Sequence, residues 1–126
     1  MEMIKIKEFE IIFYNDKYGR NEVKDYIKKL NNSKITNKDS RIKFNKIVSY
    51  IRMLQIKGLS LGEPYIKHIE NEIWELRPLR DRILFADLNN NKFILVSVFM
   101  KSTNKTPKKE IERAKKYLIE YKNRSG

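Results

Sequence analysis

Arg77, Arg80 and Arg82 fall within six residues, and Lys101 and Lys105 follow a long apolar run, Phe93–Met100. Cations held on a rigid frame bind phosphate. A guanidinium offers a planar fork of donors to two oxygens, and an ammonium offers a compact charge. On adjacent antiparallel strands, Arg77, Arg82 and the end of Phe93–Met100 come side by side. One sheet face then carries several fixed positive charges. The bland reading is a solvated face on which each Arg pairs with Glu70, Glu72, Glu75 or Asp81. The residues alone leave both open.

Other chemistries have less to work with. The chain has no Cys, which excludes a disulfide scaffold, a Cys-ligated zinc site and a Cys nucleophile. Its one His, His68, cannot anchor a His-rich metal site, and no Ser near it stands in a nucleophile-elbow sequence. The glycines at 19, 58, 62 and 126 exclude a P-loop or a dinucleotide turn. No metal and no cofactor are expected.

The elements that must position the cations are legible as patterns. Phe9–Tyr14 reads as a first strand, ended by Asn15-Asp16 and Gly19. Val23, Tyr26, Ile27 and Leu30 recur at helical spacing, with a stop at Asn31-Asn32-Ser33. After a polar connector, Lys34–Ser40, the residues Ile42, Ile47, Val48, Ile51 and Leu54 mark the apolar stripe of a second helix, with Gly58 as its stop. Gly58–Pro64 is a loop. Tyr65–Ile69, Glu72–Arg77, Arg82–Leu88 and Lys92–Met100 then read as consecutive strands, the last two joined by the turn Asn89-Asn90-Asn91. Trp74 and Leu76 alternate with Glu75 and Arg77, so one face of that strand is apolar and the other charged. Phe93–Met100 is apolar on both faces and suits a central strand. Thr106-Pro107 opens a last helix, Thr as N-cap and Pro at the first helical position, with Ile111, Ala114, Leu118 and Tyr121 as its buried stripe and fraying from Asn123 to Gly126. The order β-α-α-β-β-β-(β)-α predicts an α+β fold with a small, mainly antiparallel sheet, a helical hairpin and a C-terminal helix.

At 126 residues the chain has the size of one domain, and 40% hydrophobic residues suffice for one core. Its 28 Lys plus Arg against 16 Asp plus Glu leave a net charge of +12, which favours polyanions or acidic proteins as partners. The densest stretch, Lys101–Gly126, holds nine basic and three acidic residues. The longest apolar runs are too short to cross a bilayer, so no membrane span is expected; on charge alone an anionic membrane surface stays open beside nucleic acid and an acidic protein. Met1–Phe9 mixes Lys and Glu with apolar residues and is expected to carry no secretory signal, which points to the cytoplasm.

In order and spacing, three segments closely resemble one family. They are Ile73-Trp74-Glu75-Leu76-Arg77, Arg82-Ile83-Leu84-Phe85, and Ser97-Val98-Phe99-Met100-Lys101-Ser102-Thr103-Asn104-Lys105-Thr106-Pro107. The family is the phage-derived subgroup of HigB toxins, in the RelE/ParE superfamily of type II toxin–antitoxin systems. Its pattern is W-E-L-R, then R-x-L-[YF], then F-x-K-K-T-x-K-T-P ahead of the final helix. The motifs span about residues 60–118, and Ser102 departs from the usual second Lys.

The resemblance implies an endoribonuclease, an mRNA interferase that cuts mRNA on the ribosome without a metal. It also implies a HigA-like helix-turn-helix antitoxin, operator DNA being reached only through the complex with it. By position it implies catalytic roles for Arg82 at the scissile phosphate and for Arg77 and Lys101 beside it; Glu75 stands where RelE-type toxins carry a catalytic Lys, and the reaction's need for a proton acceptor makes it the first candidate base, a salt bridge to Arg77 or Arg82 being the alternative. Arg80 and Lys105 would add phosphate contacts. His68 is a second candidate base, or else a structural strand-edge His. Trp74 is a core residue or a stacking platform for a base. Two other classes fit the same residues: a ParE-like, non-nucleolytic gyrase poison, and a plain nucleic-acid-binding module.

Overall fold

A computed structural model describes residues 8–125, so the expectations for Met1–Phe9 and for Gly126 fall almost wholly outside the described residues. The elements run β1 (Glu10–Phe13), α1 (Glu22–Ser33), α2 (Lys38–Lys57), a 3-10 turn (Gly58–Leu61), β2 (Ile66–Glu70), β3 (Ile73–Leu76), β4 (Asp81–Asn89), β5 (Lys92–Met100) and α3 (Lys108–Ser125). They build one five-stranded sheet in the order β1-β5-β4-β3-β2. β2 to β5 are antiparallel neighbours, and β1 joins β5 in parallel. This is the α+β architecture that the patterns predict.

Local chemistry sets the element ends. The side chains of Asn21 and Asn37 accept hydrogen bonds from the backbone N–H of Lys24 and Ser40, capping α1 and α2. The Asn37 cap starts α2 inside the expected connector, which therefore shrinks to four residues. α2 ends at Gly58, whose φ is 59°. A Cβ there would also come within 2.5 Å of the Phe9 ring, so the position excludes a side chain twice over. Asn89, Asn90 and Asn91 all take positive φ, which Asn tolerates better than most residues. α3 runs on to Ser125 without ending at Asn123.

The sheet is covered on both faces. The α1–α2 hairpin buries Val23, Leu30, Ile47 and Leu54 against Ile66, Leu76, Ile83, Phe85, Phe93 and Leu95. On the other face α3 packs Ala114 and Leu118 against Ile73, Leu84, Ala86, Ile94 and Val96. β4 and β5 lie between two helical layers, which is why Phe93–Met100 is apolar on both sides. Ile42 and Val48, expected in the buried stripe of α2, are 43% exposed, because the face turned to the core runs through Phe44, Ile47, Ile51 and Leu54, and Val48 points about 100° away from Ile47 around the helix.

Candidate functional site

The sheet brings Glu75, Arg77 and Arg82 to one place. Glu75 and Arg77 share a face of the β3 strand and its extension. Arg82, at the start of β4, pairs with Phe99, which packs on the α3 side. Glu75 is 1% exposed, and both its oxygens are engaged. Oε1 accepts from Arg77 Nε at 3.0 Å and lies 3.8 Å from Arg82 Nε. Oε2 accepts from the Thr106 hydroxyl at 2.7 Å. Arg82 is itself buried, and its Nη1 donates to the carbonyls of Leu79 at 2.7 Å and Asp81 at 3.0 Å. Burial, with Arg77 adding to it, pulls Arg82 below the ordinary guanidinium value, and Glu75 opposes this.

Two guanidinium groups thus lean on one carboxylate, and positive charge is left over. The other acids named as alternative partners are engaged elsewhere. Glu70 pairs with Lys115, Glu72 with Lys122, and Asp81 with Lys43. The segment Lys101–Pro107 covers the cluster and closes a pocket lined by Glu75, Arg82, Phe99, Lys101 and Lys105. Its free volume is about 10 Å³, close to the room one water needs and far below that of a phosphodiester. Arg77, about one-fifth exposed, and Lys101 remain reachable from outside, whereas Arg82 lies beneath the segment.

The remaining predicted residues stand apart. Arg80 turns to the opposite rim. Its Nη2 donates to the Lys101 carbonyl at 3.0 Å, and the Lys101 N–H donates to the Arg80 carbonyl at 2.7 Å. His68 faces Trp74 across β2 and β3, their rings 4.9 Å apart, and its Nε2–H donates to the Asn71 carbonyl at 2.7 Å. Trp74 packs with the hairpin-side core, so both rings lie on the face away from Glu75. Thr106, expected to cap α3, spends its hydroxyl on Glu75, while the Pro107 carbonyl accepts from Glu110 and Ile111 in the first turn.

Two further polar clusters frame the site without a sequence signal of their own. Asp81, 2% exposed, accepts from the Tyr26 hydroxyl at 2.8 Å and lies 3.5 Å from Lys43 Nζ, tying β4 to both hairpin helices. Glu22, at the first turn of α1, accepts from the Val98 N–H at 2.7 Å and from Arg113 of α3. β1 ends at Phe13, so the Glu22 carboxylate serves the edge of β5 beyond it, which β4 pairs on its other side only. Burial works against the charge of Arg113, but its bonds to Glu22 and Glu110 outweigh this and raise its pKa. Among the described residues no three His, Asp or Glu groups gather as metal ligands, and no helix is long and apolar enough to cross a membrane.

Residues 25–118 match a family model described as "Phage derived protein Gp49-like (DUF891)". The matched stretch begins in α1 and takes in every residue of the cation cluster. No curated protein matches the chain.

Proposed function

Because the chain belongs to the phage-derived Gp49-like family, a toxin-like family related to RelE and HigB, we propose that it is the HigB-type toxin of a type II toxin–antitoxin module. In this reading it is a metal-independent endoribonuclease of the bacterial cytoplasm. It cuts mRNA on the ribosome and is held inactive by a HigA-like helix-turn-helix antitoxin. One observation carries the reading: Arg77 and Arg82 share the buried carboxylate of Glu75, and Lys101 lines a small pocket together with Glu75 and Arg82.

The chemistry follows from those groups. The 2′-oxygen of the RNA attacks the adjacent phosphorus and the bond from phosphorus to the 5′-oxygen breaks. The products are a 2′,3′-cyclic phosphate and a 5′-hydroxyl end. Negative charge grows on the non-bridging oxygens, where Arg77, Arg82 and Lys101 stabilise it and hold the backbone for in-line attack. Phosphate reaches Arg82 once the Lys101–Pro107 segment moves out. The same movement takes Thr106 from Glu75 and frees Oε2 to accept the 2′-hydroxyl proton. Lys101 or Lys105 supplies the proton for the leaving 5′-oxygen.

Regulated expression in bacteria with mapping of mRNA 5′ ends tests this. The wild type is expected to arrest growth and to produce new ends inside coding sequences. Arg82→Ala, folded by circular dichroism, is expected to lose about a hundredfold or more of the cleavage, the scale of one transition-state charge contact. Unchanged cleavage by that variant would sink the assignment. So would intact mRNA with persistent gyrase–DNA breaks, the mark of the ParE-like alternative.

A further inference from the structure

Asp81 precedes Arg82 in the chain and is almost wholly buried. It pairs with Met100 where Arg82 pairs with Phe99, so strand alternation turns its side chain to the hairpin layer and that of Arg82 to the α3 layer. Oδ1 of Asp81 accepts from the Tyr26 hydroxyl of α1 and lies 3.5 Å from Lys43 Nζ of α2. Lys43 Nζ is also 5.4 Å from the centre of the Tyr26 ring, so the three groups close on one another. Oδ2 has no hydrogen-bond partner among the described residues. A buried carboxylate with one oxygen unpartnered is poorly explained as a source of stability, because desolvation offsets most of what its ion pair contributes.

What the carboxylate holds is the turn between β3 and β4. The Asp81 N–H donates to the Pro78 carbonyl at 3.1 Å and closes that turn. Two carbonyls of the turn, those of Leu79 and Asp81, accept from Arg82 Nη1 at 2.7 and 3.0 Å. The contact of Arg82 with Glu75 is looser, 3.8 Å from Nε to Oε1. The backbone oxygens therefore set where the guanidinium points, and Asp81, fastened to both hairpin helices, sets where those oxygens stand. We propose that Asp81, braced by Tyr26 and Lys43, is a positioning residue, which fixes the turn carbonyls that aim Arg82 at the scissile phosphate. The target of that aim rests on the nuclease reading; the brace itself does not. A proton-transfer role does not fit Asp81, because its carboxylate lies on the opposite face of the sheet from Glu75 and Arg82.

Two variants test the brace. Asp81→Asn removes the charge. Tyr26→Phe removes one hydrogen bond, leaves Asp81 in place and is the milder change for folding. The first measurement needs no substrate. Arginine side-chain NMR of the isotope-labelled full chain resolves the Nη protons of a guanidinium whose rotation is hindered. Arg82, identified by the signal missing from Arg82→Lys, is expected to show resolved Nη protons in the wild type and merged ones in both variants. Arg113, held by Glu22 and Glu110, is expected to keep its signals. A fold merely weakened would treat the two arginines alike.

The second measurement is mRNA cleavage in a translating extract. kcat is expected to fall about tenfold or more in Asp81→Asn and by less in Tyr26→Phe, with KM held, the mark of a contact made only in the transition state. Unresolved Arg82 signals in the wild type, or signals unchanged in both variants, overturn the proposal. So does a loss confined to KM, or full kcat with the signals merged; either leaves the nuclease reading standing. If Asp81→Asn fails to fold, Tyr26→Phe decides by the same readings. A wild type that cuts no mRNA defeats the nuclease reading, and the Arg82 signals then decide the brace alone.

Discussion

Glu75 takes hydrogen bonds on both oxygens while almost wholly out of water. A carboxylate so placed fixes Arg77 and Arg82, and in the proposed reaction it would accept a proton once Thr106 leaves. Glu75→Gln removes both the countercharge and the base. mRNA cleavage is expected to fall about 10²–10⁴-fold, the usual worth of a positioned general base. Stability in urea is expected to fall by about 1–3 kcal/mol, because a neutral amide no longer offsets the guanidinium charges of Arg77 and Arg82 beside it. Cleavage kept at the wild-type level alongside that loss of stability would reduce Glu75 to a clamp. The grouping of Arg77 with Arg82 was legible, since both flank one turn and alternation puts Arg77 on the face of Glu75. The same alternation puts Trp74, and with it His68, on the opposite face. Arg80 was not legible, because its direction depends on the positive φ of Leu79 one residue before it.

Between β5 and α3, the Lys101–Pro107 segment is fastened to the sheet by the Thr106–Glu75 bond. Thr106→Val keeps the shape and removes the hydroxyl. Backbone amides of residues 101–107 are expected to exchange with deuterium faster, and KM for RNA to fall while kcat holds, since the pocket opens more readily. Unaltered exchange would mean that other contacts hold the segment down. Sequence patterns located every α-helix and strand of the described chain, since periodicity is a local signal, but read the 3-10 helix Gly58–Leu61 as loop and passed over the Asn21 and Asn37 caps. They misplaced the role of Thr106 because its partner is thirty-one residues away, on a different strand. They overcounted the buried stripe of α2: Ile42 and Val48 are apolar, but the stripe that meets the core is Phe44, Ile47, Ile51 and Leu54, and these two lie off it.

Across the molecule, several protons are held more tightly than in the unfolded chain. Burial, then a bond to Glu120, raises the Tyr14 hydroxyl above its ordinary 10.0, and burial raises that of Tyr26. Burial opposes the charge of Lys43, but Tyr26 and Asp81 outweigh it and raise that pKa above 10.5. Each folded value exceeds the unfolded one, so this contribution to stability is complete below pH 10.0 and is lost as pH climbs past it. Urea midpoints are expected to hold level up to that pH and to decline beyond it, and Tyr14→Phe should make the decline shallower. An identical decline in the variant would assign the effect to other groups. The reciprocal pair of bonds between Arg80 and Lys101 has a consequence at this scale too. Arg80 edges the depression at Ile42, Leu79 and Met100, and Lys101 edges the pocket at Glu75 and Arg82, so any shift of the Lys101–Pro107 segment is passed straight to the β3–β4 turn.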